Sequence, residues 1–352
     1  MLATTKYSHL ALTAIGIYRD FAWYDLIRMA KFYYFCGSEQ FQPEVLVRQA
    51  KLAEEVGFDG VMVSEHFHPW VDDVGAAGFM WSLLGAMAVV TKKVELMTGV
   101  VTPLFRYHPA VVAQAAATVD RLSGGRFLLG VGTGENINEG PLGYEFPNYA
   151  ERAERMREAL EIMRRLMDGE KLSFKGKFYQ TDRAKLYSPP VGKVPILMAA
   201  GGPKSAELVG EMADGVIVSV KKVMEAKEII KISNIKYQKS NKIVVATRWS
   251  VYAKDDDEAW EALKPWRGLR APGRLEAVDP VELRKRADEM DRSEILDSYS
   301  IVSTVDEYVE VYKPLMTDLG ADVVVVQSMG IDQEKVIKLL GEKVLPKLRT
   351  LV

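Results

Sequence analysis

With a single cysteine, Cys36, in 352 residues, the chain has no internal disulfide framework to staple it. Cys36 closes the apolar run from Phe32 and reads as a buried, inert thiol. There are four histidines, none after His108, too few to complete a multi-imidazole zinc site around a barrel mouth, so no metal is expected. No uninterrupted apolar run reaches the roughly 18 residues that a membrane helix needs, so no membrane is expected as a partner. Nor does one charge dominate. Forty-six Lys+Arg against 48 Asp+Glu leave a formal net charge of −2, which supplies no bulk field for nucleic acid or anionic lipid. Aromatic residues are not interleaved with a basic stripe, as a nucleic-acid surface requires. A Walker loop, a nucleophile elbow and a Ser-His-Asp set are all missing. So are Ser/Gly linkers, low-complexity tracts and short repeats other than the βα unit discussed below. In residues 1–30, Lys6 and the apolar stretch Leu10 to Tyr18 are followed at once by Arg19 and Asp20, without a small-residue cleavage pattern. This reads as an added helix or an upstream start ahead of Met29, and a cytoplasmic chain is the expectation.

What is present is alternation. A composition of 48% hydrophobic and 27% charged residues is that of an ordinary globular chain long enough to bury a full core. Short β-branched or aromatic runs predict strands at Phe32 to Cys36, Asp59 to Val63, Val94 to Val101, Arg126 to Val131, Pro195 to Ala199, Gly215 to Val220, Ile243 to Tyr252 and Asp322 to Gln327. Helical patterns fall between most of them. One opens at Pro43 and ends at Gly57, and others cover Gly78 to Val90 and Pro109 to Leu122. The clearest, Tyr149 to Met167, carries Met156, Ala159, Leu160, Met163, Leu166 and Met167 on one stripe, which makes those methionines core. Eight evenly spaced βα units favour a closed (β/α)₈ TIM barrel of the α/β class over a doubly wound sheet. The barrel is read as one domain over 31–352, with insertions at the C-terminal face near 132–148, 170–190 and 266–296. Leu172 to Tyr187 alternates and reads as a hairpin.

In such a barrel, chemistry sits at the C-terminal ends of the strands. The second strand runs into Ser64-Glu65-His66-Phe67-His68-Pro69-Trp70, which sets a carboxylate and imidazoles beside an aromatic wall. The fourth ends in Gly130-Val131-Gly132-Thr133-Gly134-Glu135-Asn136-Ile137-Asn138-Glu139, a weak dinucleotide fingerprint. Its glycines would let backbone approach a flat ring, with Glu135 and Asn138 supplying an acid and an amide. Ala199-Ala200-Gly201-Gly202-Pro203 ends the fifth strand and opens a helix whose free N–H groups suit a phosphate. Ser219-Val220-Lys221-Lys222, together with Arg267, Arg270 and Arg274 of the insertion, gathers cations suited to an anionic substrate.

These segments, with Ser38-Glu39-Gln40-Phe41 and Thr102-Pro103-Leu104-Phe105-Arg106-Tyr107-His108-Pro109, resemble the luciferase-like barrel superfamily over roughly residues 32 to 350. Within it they look like the branch that uses the deazaflavin coenzyme F420, and most like the F420-dependent glucose-6-phosphate dehydrogenases. The resemblance implies an oxidoreductase that moves a hydride from the carbinol carbon of a sugar phosphate to the deazaflavin. Its alternatives are a secondary-alcohol dehydrogenase of the same branch and an FMN-dependent monooxygenase of the wider superfamily. It implies His66 as the base for the substrate hydroxyl, Trp70 as the wall of the reacting carbon and Glu135 as acid. It assigns coenzyme contacts to Glu65, Thr102, Gly99, Val100, Asn138, Ala200, Gly201 and Gly202, with a cis bond between Gly99 and Val100. It also implies a homodimer. The chain departs from the family in having Glu65 where an aspartate is usual. Of the three cations that hold the sugar phosphate, Lys222 matches the first and Arg274 replaces the second. The third position falls on Ser298, and an arginine–phosphate contact there would be worth about 1.5–3 kcal/mol.

Overall fold

The computed structural model describes residues 30–235 and 242–351. The expected N-terminal extension, apart from Ala30, lies outside the described residues. Eight strands are arranged in chain order: β1 (Lys31–Cys36), β2 (Gly60–Val63), β3 (Glu95–Thr98), β4 (Phe127–Val131), β5 (Ile196–Ala199), β6 (Gly215–Ser219), β7 (Ile243–Tyr252) and β8 (Val323–Met329). Each pairs in parallel with the next, and β8 returns to β1 through the register Lys31↔Val323. The sheet is therefore a closed (β/α)₈ barrel, as the spacing of the runs predicts.

A helix follows each strand: α1 (Pro43–Glu55), α2 (Met80–Val90), α3 (Pro109–Ser123), α4 (Tyr149–Met167), α5 (Pro203–Met212), α6 (Val223–Ile235), α7 (Val305–Thr317) and α8 (Gln333–Leu339). Local sequence sets their ends. Proline fills the first turn of α1, α3 and α5, where its missing N–H costs nothing. The Asn148 side chain accepts from Glu151 N at the start of α4, and Thr304 and Glu307 form a capping box on α7. No helix among the described residues is long and apolar enough to cross a membrane.

Alternation along β1 divides the apolar residues into two cores. Phe32, Tyr34 and Cys36 face the helices, whereas Tyr33 and Phe35 join Met62, Met97, Leu197, Val245 and Val325 inside the barrel. Cys36 is fully buried, and burial pushes its thiol well above the ordinary range, as expected of an inert core cysteine. Gly60 makes room for the barrel floor: a Cβ there would lie 2.4 Å from the Tyr33 ring.

The third strand is shorter than the apolar run Val94 to Val101 suggests. Regular pairing stops at Thr98, and the Gly99–Val100 bond is cis, as the resemblance implies. The backbone then returns for one isolated bridge between Val101 and Val131. The Thr98 hydroxyl pins this bend, donating to the Gly130 carbonyl (2.7 Å) and accepting from the Gly130 amide (2.8 Å).

Two inserted segments reach the mouth. Between β7 and α7 come helices Asp256–Leu263, Lys264–Arg270, Pro280–Asp288 and Arg292–Leu296, then a short strand Ser300–Val302 that pairs with the end of β7. The hairpin of Leu172–Lys175 and Gln180–Ala184 follows α4, so it starts from the opposite end of the barrel. It folds back along α4, and the Tyr179 hydroxyl donates to the Leu104 carbonyl (2.7 Å) in the loop before α3.

Candidate active site

The loops after β1 and β2 lock together first. The Ser38 amide donates to Ser64 Oγ (2.8 Å) and the Ser38 hydroxyl to the Ser64 carbonyl (3.0 Å). Ser64 Oγ in turn donates to Glu39 Oε2. Glu39 is thereby held in the interior with its other oxygen, Oε1, 3.2 Å from His66 Nε2. His66 Nδ1 lies 2.9 Å from the His68 carbonyl. A carbonyl can only accept, so Nδ1 carries a proton and Nε2 is the atom free for proton transfer. The His66 side chain is 7% exposed and rests against Trp70, with ring centroids 4.8 Å apart. From the end of β4, Glu135 brings Oε2 to 3.7 Å from the same nitrogen. One imidazole nitrogen therefore stands between two carboxylates, one buried and one at the rim.

A second cluster lies beside it. Arg106 Nη2 is 2.8 Å from Glu65 and Nη1 is 3.0 Å from Glu139, while Nη1 also donates to the Asn138 carbonyl. One guanidinium thus serves two carboxylates. Burial raises Glu65 against the opposing pull of Arg106. Burial also pushes Glu139 up to about 7, with Arg106 opposing and Glu65 adding to the rise. Glu65 Oε1 and Glu139 Oε2 are buried without a hydrogen-bond partner. Asn138 Oδ1 accepts from the Phe67 amide (2.9 Å) and so ties the β4 loop to the β2 loop.

These residues border a cavity of about 840 Å³ at the C-terminal ends of the strands. Glu65, His66, Thr102, Glu135 and Asn138 line one side, with Gly99 and Val100 at the bend of the third strand. Gly201, Gly202 and Ser205 line the other side, whereas Ala200 is buried behind its lining neighbour Ala199. The residues fit a large planar coenzyme with an anionic tail. A Cβ at Gly201 or Gly202 would meet nothing within 4 Å, so the wall is open there. Glu65 Oε1 and the Tyr149 hydroxyl are buried polar atoms at the cavity that lack partners. The amides of Gly201 and Gly202, expected to be free, both point at Ser205 Oγ (3.2 and 3.1 Å).

The cations sort differently from the sequence expectation. Arg267 is 4% exposed and bound to Asp73 (2.7 Å) and Asp288 (2.8 Å), so it braces the insertion. Lys222 is exposed and pairs with Glu225 (3.2 Å) in the first turn of α6, away from the cavity lining. Its neighbour Lys221 is the lysine that feels Arg270 and Arg274, and their charges hold its pKa below the usual range. Arg274 does reach the site, 3.1 Å from Glu135 Oε1 and 5.8 Å from the Trp70 ring centroid. Ser298 bonds its own turn, donating to the Ile295 carbonyl (2.8 Å). A cation nevertheless lies beside it, because Arg270 stacks on the ring of Tyr299 at 4.6 Å.

The sequence assigns no role to Glu39, Arg106 or Glu139, and it singles out Lys222 rather than its neighbour Lys221 within the cation group. Glu39 and Arg106 stand inside segments singled out by resemblance, but only the fold shows which side chains they hold.

A barrel with a paired carboxylate and imidazole facing a mouth cavity defines a group-transfer or redox enzyme site. The chain matches the luciferase-like monooxygenase family over residues 29–322 and belongs to it. It is 36% identical over 331 residues to the F420-dependent glucose-6-phosphate dehydrogenase of Nakamurella multipartita, covering 92% of this chain and 97% of that one. Against the enzyme of the same name from Amycolatopsis mediterranei the identity is 38% over 333 residues, covering 92% and 100%. Among solved structures, an F420-dependent secondary alcohol dehydrogenase in complex with an F420-acetone adduct superposes with a TM-score of 0.82 at 30% identity, covering 89% of this chain and 98% of that one.

Proposed function

We propose that the chain is an F420-dependent dehydrogenase acting on a CH–OH group, with a sugar phosphate of the glucose-6-phosphate type as substrate. The observation that carries this reading is His66: its Nδ1 is committed to a carbonyl while Nε2 faces the cavity between Glu39 and Glu135. The names of the relatives and the cations at the mouth support the coenzyme and the substrate.

A bound deazaflavin supplies a hydride acceptor. Glu65, Thr102 and Asn138 would hold its ring edge, Gly99 and Val100 its face, and Gly201 and Gly202 its phosphate side. His66 Nε2 takes the proton of the substrate hydroxyl as hydride leaves the carbon. The positive charge that His66 gains is met by Glu39 Oε1 at 3.2 Å, a carboxylate already fixed by Ser64. Trp70 packs against the imidazole and keeps water from its buried face. Glu135, partly exposed at the cavity rim, would take a proton from solvent and pass it on toward the coenzyme. Arg270, Arg274 and Lys221 take the substrate's phosphate, a task for which planar guanidinium groups are well suited.

His66→Ala tests the assignment. It should abolish reduction of F420 by glucose 6-phosphate and leave coenzyme affinity nearly unchanged. Full turnover in the variant would refute the mechanism.

We further propose that the protein is a homodimer joined through α2 and α3. Phe79, Val89, Val111 and Leu122 on and beside these helices are each more than half exposed. Light scattering should give twice the 39.4 kDa of one chain, and Leu122→Lys should halve it. A monomeric parent protein would refute this.

A further inference from the structure

The charges at the mouth do not balance. Arg270, over the Tyr299 ring at 4.6 Å, and Arg274, 3.1 Å from Glu135, stand four residues apart in the insertion, and their charges, that of Arg270 most, hold Lys221 below its usual range. Among the described residues only Arg274 of the three has an ion-pair partner, and that partner is Glu135. Arg270 Nε is buried with no hydrogen-bond partner, and its guanidinium carbon lies over the Tyr299 ring, 4.6 Å from the centroid. A buried donor left unmet beside two further cations is a built place for an oxyanion. Glu225 acts on Lys221 from α6 but is paired with Lys222 (3.2 Å), and the carboxylate that meets Arg274 is Glu135, the group to which the mechanism assigns acid work.

Glu135 is thus divided. Oε1 is bonded to Arg274 at 3.1 Å, while Oε2 stops at 3.7 Å from His66 Nε2, too far for a hydrogen bond. Both side chains are about one-third exposed, so the pair is wet enough to exchange partners. We propose that Arg274 couples anion binding to the position of Glu135. An oxyanion seated between Lys221, Arg270 and Arg274 takes the guanidinium from Glu135, and the released carboxyl group then closes on the reacting centre. Arg274 is a positioning residue in this scheme, and the substrate's phosphate contributes to turnover as well as to binding. The inference rests on the dehydrogenase reading above.

Inorganic sulfate, which keeps its charge across the neutral range, is the probe. Calorimetry on the protein alone should show sulfate binding, weakened about tenfold by Arg270→Gln, the loss expected when one charged contact goes. Reduction of F420 is then followed with free glucose, which lacks the phosphate. Sulfate should raise kcat with glucose in the parent protein. Arg274→Gln should already turn over free glucose faster than the parent, show no response to sulfate and raise KM for glucose 6-phosphate. Arg274→Lys should restore part of the sulfate response. Absence of sulfate binding, sulfate binding without activation, or an Arg274→Gln variant slowed equally on both sugars would each overturn the coupling. A protein that binds F420 but reduces it with neither sugar would remove the dehydrogenase reading, and the coupling with it.

Discussion

Replacing Glu139 by glutamine should change how stability depends on pH, and the size follows from its surroundings. The side chain is 0% exposed, shares Arg106 with Glu65 and leaves Oε2 without a partner. Its pKa is raised from 4.5 to about 7. That difference of about 2.5 units corresponds to about 3 kcal/mol between the protonation states. The fold favours the neutral acid. Its contribution is therefore fully present below about pH 4.5, where folded and unfolded chains both hold the proton. It is lost as pH rises toward about 7, because the folded chain must then bury a second carboxylate on one guanidinium. The amide of the Glu139→Gln variant cannot ionise and escapes this loss. Urea unfolding of both chains between about pH 5 and pH 8 should show the variant gaining on the parent by about 2–3 kcal/mol across that window. Parallel stability curves, or a parent that gains on the variant as pH rises, would show that Glu139 is an ordinary ionised partner of Arg106.

Two other changes probe the frame. Arg126 closes the end of α2 by donating to the Ala88 (3.2 Å), Thr91 (3.1 Å) and Val94 carbonyls, so Arg126→Met should cost about 2–4 kcal/mol in a denaturant melt while coenzyme binding persists; an unchanged midpoint would contradict that role. Gly37, directly before the Ser38–Glu39 lock, has no room for a side chain, and Gly37→Ala would put a methyl group 2.6 Å from Trp266 Cζ2. It should lower both stability and kcat, since Trp266 is fully buried and the Glu39 carboxylate hangs from that loop. Parent-level values for both would show that the packing of Trp266 against the Gly37 loop is slack.

The barrel was legible because its signal is repetitive. Each buried strand is an apolar run, each helix carries a stripe, and prolines mark several helix starts. The candidate site was legible where its cavity-lining residues sit at a strand end, as with His66 and Glu135. It was not legible where a side chain works through a partner far along the chain. Glu39 reaches His66 across 27 positions, and Arg106 joins Glu65 to Glu139. Adjacent lysines at the end of β6 also defeat pattern reading. Whether Lys221 or Lys222 faces the mouth depends on where the strand stops and α6 begins, and the strand stops at Ser219. Likewise Ser298 looks like a lost cation in sequence, yet Arg270 arrives beside it from a helix 28 residues earlier.

The most direct test of the account is an optical titration of the purified protein with oxidised F420 and, separately, with FMN, followed by glucose 6-phosphate. Tight binding of F420, weak binding of FMN and bleaching of the deazaflavin band on addition of the sugar phosphate are the expected results. Preference for FMN, or an F420 band that a simple secondary alcohol bleaches and glucose 6-phosphate does not, would contradict it.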